Sequence, residues 1–144
     1  MRCPIVPLVV AVATTWQVSC LSGPSSIDAQ STQGAIAVAT DRSTYNLGET
    51  VTIVVQNNGR EVLRYYDGPG CGLGFERKVD GQWRSQFISS AEQGKAPCDL
   101  VTLGENEKGS IRRVIDLNPP SGAYRFVFRP ESGGVFNGEF TIRS

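Results

Sequence analysis

Few residues in this chain could carry out catalytic chemistry. Its 144 residues include no His, which excludes Ser-His-Asp and Cys-His catalysis and every His-ligated metal site. Paired carboxylates are the enzymatic class that remains open. The candidates are Asp67, Glu76, Asp80, Glu105 and Glu107, whose spacing fixes no pair at catalytic distance. We therefore expect scattered surface acids and no enzymatic activity, with a carboxylate-based hydrolase as the less favoured alternative.

Two loops could hold an ion. The glycine-rich stretch 70–74 superficially resembles a phosphate-binding loop, but such loops lead into a helix, and the segment Phe75–Val79 that follows is strand-like. The loops at Asp67 and Asp80 could offer carboxylates to calcium, but they lack spaced ligands such as those of an EF-hand. We expect no cofactor and no metal.

The first twenty residues have the features of an export signal. Arg2 precedes an apolar run over residues 5–13, which is shorter than the roughly 20 helical residues that span a bilayer. Val18-Ser19-Cys20 resembles the lipobox of bacterial lipoproteins, in which the Cys is lipidated and becomes the mature N-terminus. Gln17 stands where Leu is usual, and an ordinary cleaved signal peptide with an incidental Cys is the alternative.

A polar stretch rich in Ser, Gly and Gln follows this leader, and its composition is typical of a flexible tether. The sequence thus predicts a signal peptide at 1–19, a tether at 20–34 and one folded domain at 35–144. The protein would be exported and anchored by lipid on Cys20 at the cell envelope, or otherwise periplasmic or secreted.

The charges of the chain limit its partners. Fourteen basic residues balance fourteen acidic ones, and the basic residues are scattered along the sequence. Nucleic-acid binding depends on clustered Lys and Arg, so we expect no nucleic-acid partner. Contact with a membrane is expected only through the N-terminal anchor, and the expected partner is an unknown envelope or extracellular protein.

Cys71 and Cys98 are predicted to form a disulfide. An exported domain is oxidised, and both residues lie in loops that flank the segment 75–87. The bridge would close a loop of about 27 residues, worth roughly 3.5 kcal/mol in the chain-entropy model. Two free thiols or a Cys-only metal site are the alternatives, and the lack of His and of CxxC spacing makes the metal site poor.

The pattern of apolar residues predicts an all-β domain organised around the stretch Thr44–Gly59. Val51, Ile53 and Val55 share one face at a period of two, which is typical of a central strand. Further short strands, separated by turn residues, are expected at 35–39, 61–66, 75–79, 82–87, 99–103, 111–117, 122–128 and 138–142. In the strand at 111–117, Ile111, Ile115 and Leu117 would share one side.

Two Gly-containing turns bear on strand pairing. Asp80-Gly81 predicts a type I′ hairpin between 75–79 and 82–87. Asn58-Gly59 could form a similar hairpin into 61–66, or the chain could cross there from one sheet to another. The sequence leaves these two arrangements open.

Three motifs resemble bacterial Ig-like domains of secreted and lipid-anchored proteins: Y-x-L-G-E-x-V-T-I-x-x-x-N-N-G, then G-x-W, then L-x-x-x-x-G-x-Y-R-F. The resemblance covers about residues 34–144. It implies an antiparallel Ig-like β-sandwich of seven to nine strands, with Trp83 and Tyr124 in structural roles. Tyr124 would form a tyrosine corner, its hydroxyl bonded to the backbone near Leu117. Such families share a fold and not a function.

The function expected from this sequence is binding. Tyr65 and Tyr66 are adjacent, so one ring must point away from the core, and Phe136 is a further aromatic candidate. We expect a partner on the loops next to Cys71 and Cys98, flanked by Tyr66 and Phe87. The alternative is an Ig-like proteinase inhibitor, because a small bacterial family of such inhibitors shares the sandwich and the late G-x-Y strand.

Overall fold

The computed structural model describes residues 30–94 and 96–144. The leader, Cys20 and residues 20–29 of the predicted tether lie outside the described residues. Within the described part there are eleven strands and one short 3-10 helix, Ser90–Gln93. The strands are β1 (Gln30–Gln33), β2 (Ile36–Thr40), β3 (Thr44–Asn46), β4 (Thr50–Asn57), β5 (Leu63–Asp67), β6 (Leu73–Val79), β7 (Gln82–Ser85), β8 (Asp99–Leu103), β9 (Lys108–Val114), β10 (Gly122–Phe128) and β11 (Phe136–Arg143).

The strands form three sheets. One has the order β1-β2-β4-β9, the second β3-β11-β10-β6-β7, and the third consists of β5 and β8. Neighbours are antiparallel except β3 and β11, which are parallel. The predicted all-β class is confirmed, and the parallel pair makes the second sheet mixed.

The predicted organising strand is an interior strand. β4 pairs with β2 on one side and β9 on the other, and its residues alternate between buried and half-buried over its whole length. Val51, Ile53 and Val55 are fully buried. This confirms the face predicted from the period of two, because successive side chains of a strand point to opposite faces.

All three sheets contribute to one buried core. Aromatic edge-to-face contacts are prominent in it: Tyr45 and Phe75 both meet Phe140, with ring centroids 5.6 and 6.0 Å apart. Such pairs contribute about 0.5–1.5 kcal/mol each beyond the burial of their area. The core residues from the β5–β8 sheet include Leu63 and Tyr65. The small sheet is therefore part of the hydrophobic core and not an appendage.

The structure decides between the two arrangements at Asn58-Gly59. β5 pairs with β8 and not with β4, so the chain crosses to another sheet at this point. Asn57 holds the crossing: its side-chain amide donates to the carbonyl oxygens of Glu61, Leu103 and Gly104 at 2.7, 3.1 and 3.0 Å. The bonds satisfy the buried Asn57 amide. All three acceptors come from segments that the chain enters after it leaves β4.

The other predicted hairpin is confirmed. Asp80 and Gly81 have φ of 49° and 77°, and Val79 pairs with Gln82 across the turn. Both central residues of a type I′ turn need positive φ, which Asp tolerates and Gly adopts freely.

Several strand boundaries differ from those predicted. Gln30–Gln33, at the end of the predicted tether, forms β1 and pairs with β2, and β3 was not predicted. β9 ends at Val114, so Leu117 lies beyond the strand and is 75% exposed, whereas Ile111 and Ile115 are buried as predicted. In the sequence, apolar and polar residues continue to alternate beyond Val114, the last residue of β9 that pairs with β4. The alternation therefore predicted too long a strand.

Tyr124 is fully buried near the start of β10. Its hydroxyl donates to the carbonyl oxygen of Pro120 at 2.6 Å, three residues later than the acceptor expected near Leu117. Its ring stacks on Phe140 at 5.9 Å. The bond ties the turn before β10 to the core.

Residues 30–94 and 96–144 contain no helix whose length and hydropathy would let it cross a lipid bilayer.

Candidate functional site

The disulfide between Cys71 and Cys98 is present, as predicted, with Cα atoms 6.0 Å apart. It joins the loop after β5 to the residue before β8. The two loops approach each other closely beside the disulfide: a Cβ on Gly68 would lie 2.9 Å from the carbonyl oxygen of Pro97 and 3.3 Å from Cys71 Sγ. The close approach explains a Gly at position 68, because a larger residue would force the two backbones apart.

Arg113 on β9 connects this junction to the segment after β7. Its Nη2 donates to Asp67 Oδ1 at 2.9 Å and to the carbonyl oxygen of Gly68 at 3.2 Å. Its Nε lies 4.0 Å from Glu92 Oε1. The guanidinium offers several donors in a fixed plane, so one side chain holds the Cys71 loop and the 3-10 helix together. We call Asp67, Glu92 and Arg113 the arginine brace.

Glu92 is buried because it caps its own helix. Ser89 at the N-cap accepts a hydrogen bond from the Ala91 amide at 3.3 Å, and Glu92 Oε2 accepts one from the Ile88 amide at 3.1 Å. Burial raises the pKa of Glu92, while the backbone amides of Ile88 and Ser89 and the Arg113 charge oppose the rise. A Ser followed three residues later by Glu is the sequence signature of a capping box, and it could have revealed this turn.

The segment 86–93 bridges β6 and the chain that follows β9. The Gln86 amide donates to the carbonyl oxygen of Phe75 on β6 at 2.9 Å, and the Asp116 amide donates to that of Ile88 at 2.8 Å. Ile88 is fully buried. The neighbouring Phe87 is 51% exposed, because consecutive side chains of extended backbone point in opposite directions.

Phe87 lines a cavity of about 230 Å³ that opens to solvent. Polar side chains from both sides of the bridge also line it, among them Ser90, Gln93, Asp116 and Asn118. Asp116 Oδ2 accepts a hydrogen bond from the Ser90 amide at 2.6 Å. We call this space the Phe87 cavity.

Tyr66 lies elsewhere and does not line the Phe87 cavity. Its ring is 40% exposed on β5, opposite Leu100 of β8, which is 52% exposed. The Glu131 carboxylate, as a hydrogen-bond acceptor and a negative charge, raises the pKa of the Tyr66 hydroxyl. The two predicted contact aromatics thus belong to separate surfaces. As predicted, only one of the adjacent tyrosines points outward, since Tyr65 is in the core.

One further aromatic prediction is wrong. Phe136 is buried in the core against Phe128, so the suggestion that it marks a binding surface is wrong. Trp83 lies outside the core, opposite Lys78 on the outer face of its sheet. The guanidinium of Arg125 sits 4.7 Å and the ammonium of Lys78 5.4 Å from its ring centroid. Cations over an indole ring are attracted by its π face, so these contacts anchor the edge strand β7.

The acidic candidates are engaged separately. Asp67 belongs to the arginine brace, Glu76 pairs with Arg125, and Asp80 is in the hairpin turn. Glu107 accepts a hydrogen bond from the Gly104 amide at 2.6 Å. Across residues 30–94 and 96–144, no three Cys, Asp or Glu side chains gather as metal ligands.

No protein-family model matches this sequence, and no curated protein is significantly similar to it. Solved structures show weak similarity. An alkylpurine DNA glycosylase from Pseudomonas fluorescens is 13% identical over 78% of this chain and 32% of its own, with a TM-score of 0.40. A sporulation control protein from Bacillus subtilis is 14% identical over 78% and 51%, with a TM-score of 0.40. A Niemann-Pick type C2 protein from the Japanese carpenter ant is 8% identical over 72% and 81%, with a TM-score of 0.41. Scores at this level support no conclusion about function.

Proposed function

We propose that this chain is a non-enzymatic, Ig-like binding module of the bacterial cell envelope that captures a protein partner at the segment 86–93. The observation that carries the proposal is the presentation of Phe87. Its ring is half exposed, while the backbone on either side is fixed by hydrogen bonds, to β6 before it and to Asp116 after β9 behind it. A rigidly held aromatic provides contact area at low entropic cost on binding.

Strand order supports the Ig-like assignment. In Ig domains strands A, B and E share one sheet, and G, F and C share the other. Here β2-β4-β9 follows the first order and β11-β10-β6-β7 follows the second, extended by a C′-like strand. Tyr124 lies near the start of the F-like strand β10, and its hydroxyl bond to Pro120 before that strand fits a tyrosine corner. The strands beyond this order are β1, β3 and the β5–β8 pair. The disulfide joins loops and not the B-like and F-like strands.

The disulfide is compatible with export to an oxidising compartment. We propose that the mature chain begins at lipidated Cys20, which would tether the domain to a membrane. The intact mass of the protein from the membrane fraction tests this. A mature protein that starts at another residue and lacks acyl chains would exclude the anchor.

The binding surface can be tested by placing a photo-crosslinking phenylalanine analogue at position 87 in cells of the native host. A matched control carries it at Val62, which is similarly exposed at 54% but lies in the crossing between β4 and β5. We expect a discrete crosslinked band from position 87 and none from position 62. The two alanine variants are then compared for capture of that protein without a crosslinker. Phe87→Ala should lower the amount captured about tenfold or more, and Val62→Ala should not.

Equal labelling from both positions, or capture unaffected by Phe87→Ala, would contradict the proposal. The double variant Ser90→Gly/Gln93→Gly extends the test, since both positions are exposed and the buried cap residues Ser89 and Glu92 are kept. The domain should stay folded and lose its partner. The same variants test the inhibitor alternative. If the crosslinked partner is a protease, wild-type protein should slow its cleavage of a peptide substrate, and the double variant should restore the rate.

A further inference from the structure

The Phe87 cavity combines one acidic group with an apolar wall and neutral amides. Asp116 is its charged lining residue, and among the described residues no Lys or Arg lines it. Phe87 and Pro119 form the apolar part, and the amides belong to Gln86, Gln93 and Asn118. A lining with this charge disfavours anions, because no residue of the described part of the chain that lines it offsets the carboxylate.

Asp116 retains capacity for a ligand. Its Oδ2 accepts the Ser90 amide at 2.6 Å, but an ionised carboxylate has about four acceptor positions on its two oxygens. The nearby charge of Asp116 is also one of the effects that raise the pKa of buried Glu92. Arg113, the cation beside Glu92, bonds toward Asp67 and Gly68.

The size of the cavity restricts what can enter. Its volume of about 230 Å³ is below the roughly 300–1,000 Å³ of pockets that hold drug-sized ligands. One long side chain is a suitable occupant. The stem of a Lys or Arg side chain packs on apolar surface while its charged head seeks polar partners, which matches the arrangement of Phe87 and Pro119 around Asp116.

We infer that the Phe87 cavity is a specificity pocket for a basic side chain, Lys or Arg, presented by the protein partner. The aliphatic stem lies on Phe87 and Pro119, and the cationic head bonds to the Asp116 carboxylate and to the side-chain oxygens of Gln93 and Asn118. This inference rests on the proposed function, because it identifies which group of the partner the segment 86–93 recognises.

The test uses the described domain with its disulfide intact and Nα-acetyl-lysine amide as the probe, followed by NMR. We expect saturable shifts of the Ser90 and Asn118 amide signals with a dissociation constant of about 1 mM, typical for so small a ligand. Nα-acetyl-arginine amide should act similarly. Nα-acetyl-norleucine amide, which keeps the stem and lacks the charge, and methyl glucoside should bind at least tenfold more weakly.

Asp116→Asn should weaken the lysine probe about tenfold or more, since hydrogen bonds to charged groups are the stronger ones. Asn keeps an oxygen for the Ser90 amide. The matched control is Asp80→Asn, which makes the same charge change at the exposed β6–β7 turn, where Asn tolerates positive φ. Phe87→Ala, at a half-exposed position, is a second variant and should weaken the probe severalfold.

Equal binding of norleucine and lysine probes, tighter binding of the glucoside, or equal loss in Asp116→Asn and Asp80→Asn would overturn the inference. Its failure differs from failure of the proposed function. If position 87 still crosslinks a partner that Asp116→Asn captures normally, the surface is right and the basic-side-chain pocket is wrong. If the probe binds but position 87 captures nothing, the module lacks the proposed partner.

Discussion

Removal of the disulfide tests the link between the two loops quantitatively. Cys71 and Cys98 are 27 residues apart in sequence. In the chain-entropy model, a bridge closing a loop of this length destabilises the unfolded chain by about 3.5 kcal/mol. The double variant Cys71→Ser/Cys98→Ser should therefore lose about 3.5 kcal/mol of unfolding free energy. This is a large part of the roughly 5–15 kcal/mol that stabilises a typical domain.

The folded state should change much less than the unfolded state. Without the sulfurs, the arginine brace still links the Cys71 loop to the 3-10 helix, and the β5–β8 pair of Asp67 with Asp99 still holds the start of β8. We therefore expect the double variant to keep native chemical shifts around Phe87, while its melting temperature falls by roughly 10–15 °C.

Urea unfolding with and without reductant measures the effect. The wild type should lose about 3.5 kcal/mol on reduction, and the double variant, as the matched control, should not respond to reductant. The reasoning is refuted if wild-type midpoints with and without reductant coincide, or if a thiol reagent labels unreduced wild type at either Cys. Loss of native shifts around Phe87 in the double variant would show that the brace alone cannot hold the loops.

Three further predictions concern single side chains. Tyr124→Phe should cost about 1–2 kcal/mol in urea unfolding, because it removes the hydroxyl bond and leaves the ring packed; an unchanged midpoint would contradict the corner. Gly109→Ala should lower the free energy of unfolding by about 1–3 kcal/mol, since its new methyl would collide with the Tyr65 hydroxyl. The control Gly74→Ala, whose Cβ would meet open space, should lose at least about 1 kcal/mol less. Equal losses in the two variants would refute this. Because burial raises the pKa of Glu92 in the folded state, its contribution to stability is greatest below the unfolded value near 4.5 and declines as pH rises through the folded value. The stability of Glu92→Gln relative to wild type should therefore increase from pH 4 to 7, and a flat or falling difference would contradict the shift.

Local sequence determined the features that depend on neighbouring residues. The period of two fixed the buried face of β4, because alternate residues of a strand face opposite sides whatever the strand pairs with. Asp80-Gly81 determined its hairpin, since both residues accept the positive φ that the turn requires. The disulfide also followed from the sequence, because Cys71 and Cys98 were the only cysteines in the predicted folded domain.

The candidate site was predictable only in part. The sequence indicated loops near the disulfide and named Phe87, and it contained the Ser89–Glu92 capping pattern. It did not indicate the arginine brace. Arg113 lies 46 positions from Asp67 and looks like any other basic residue of an alternating strand, so no local pattern distinguishes it from the exposed Arg112 beside it.

Sequence alone thus determined the all-β class, the central strand, one hairpin and the cysteine pair. Tertiary structure decided the partner of β5, the burial of Phe136, the position of Trp83 on an outer face and the separation of Tyr66 from Phe87. Alternating apolar and polar residues show that a strand has one buried and one exposed face. They do not show which strand pairs with it or which sheet covers its buried face. That choice depends on long-range packing, since the core draws residues from all three sheets and the free energy of each pairing depends on burial against the others.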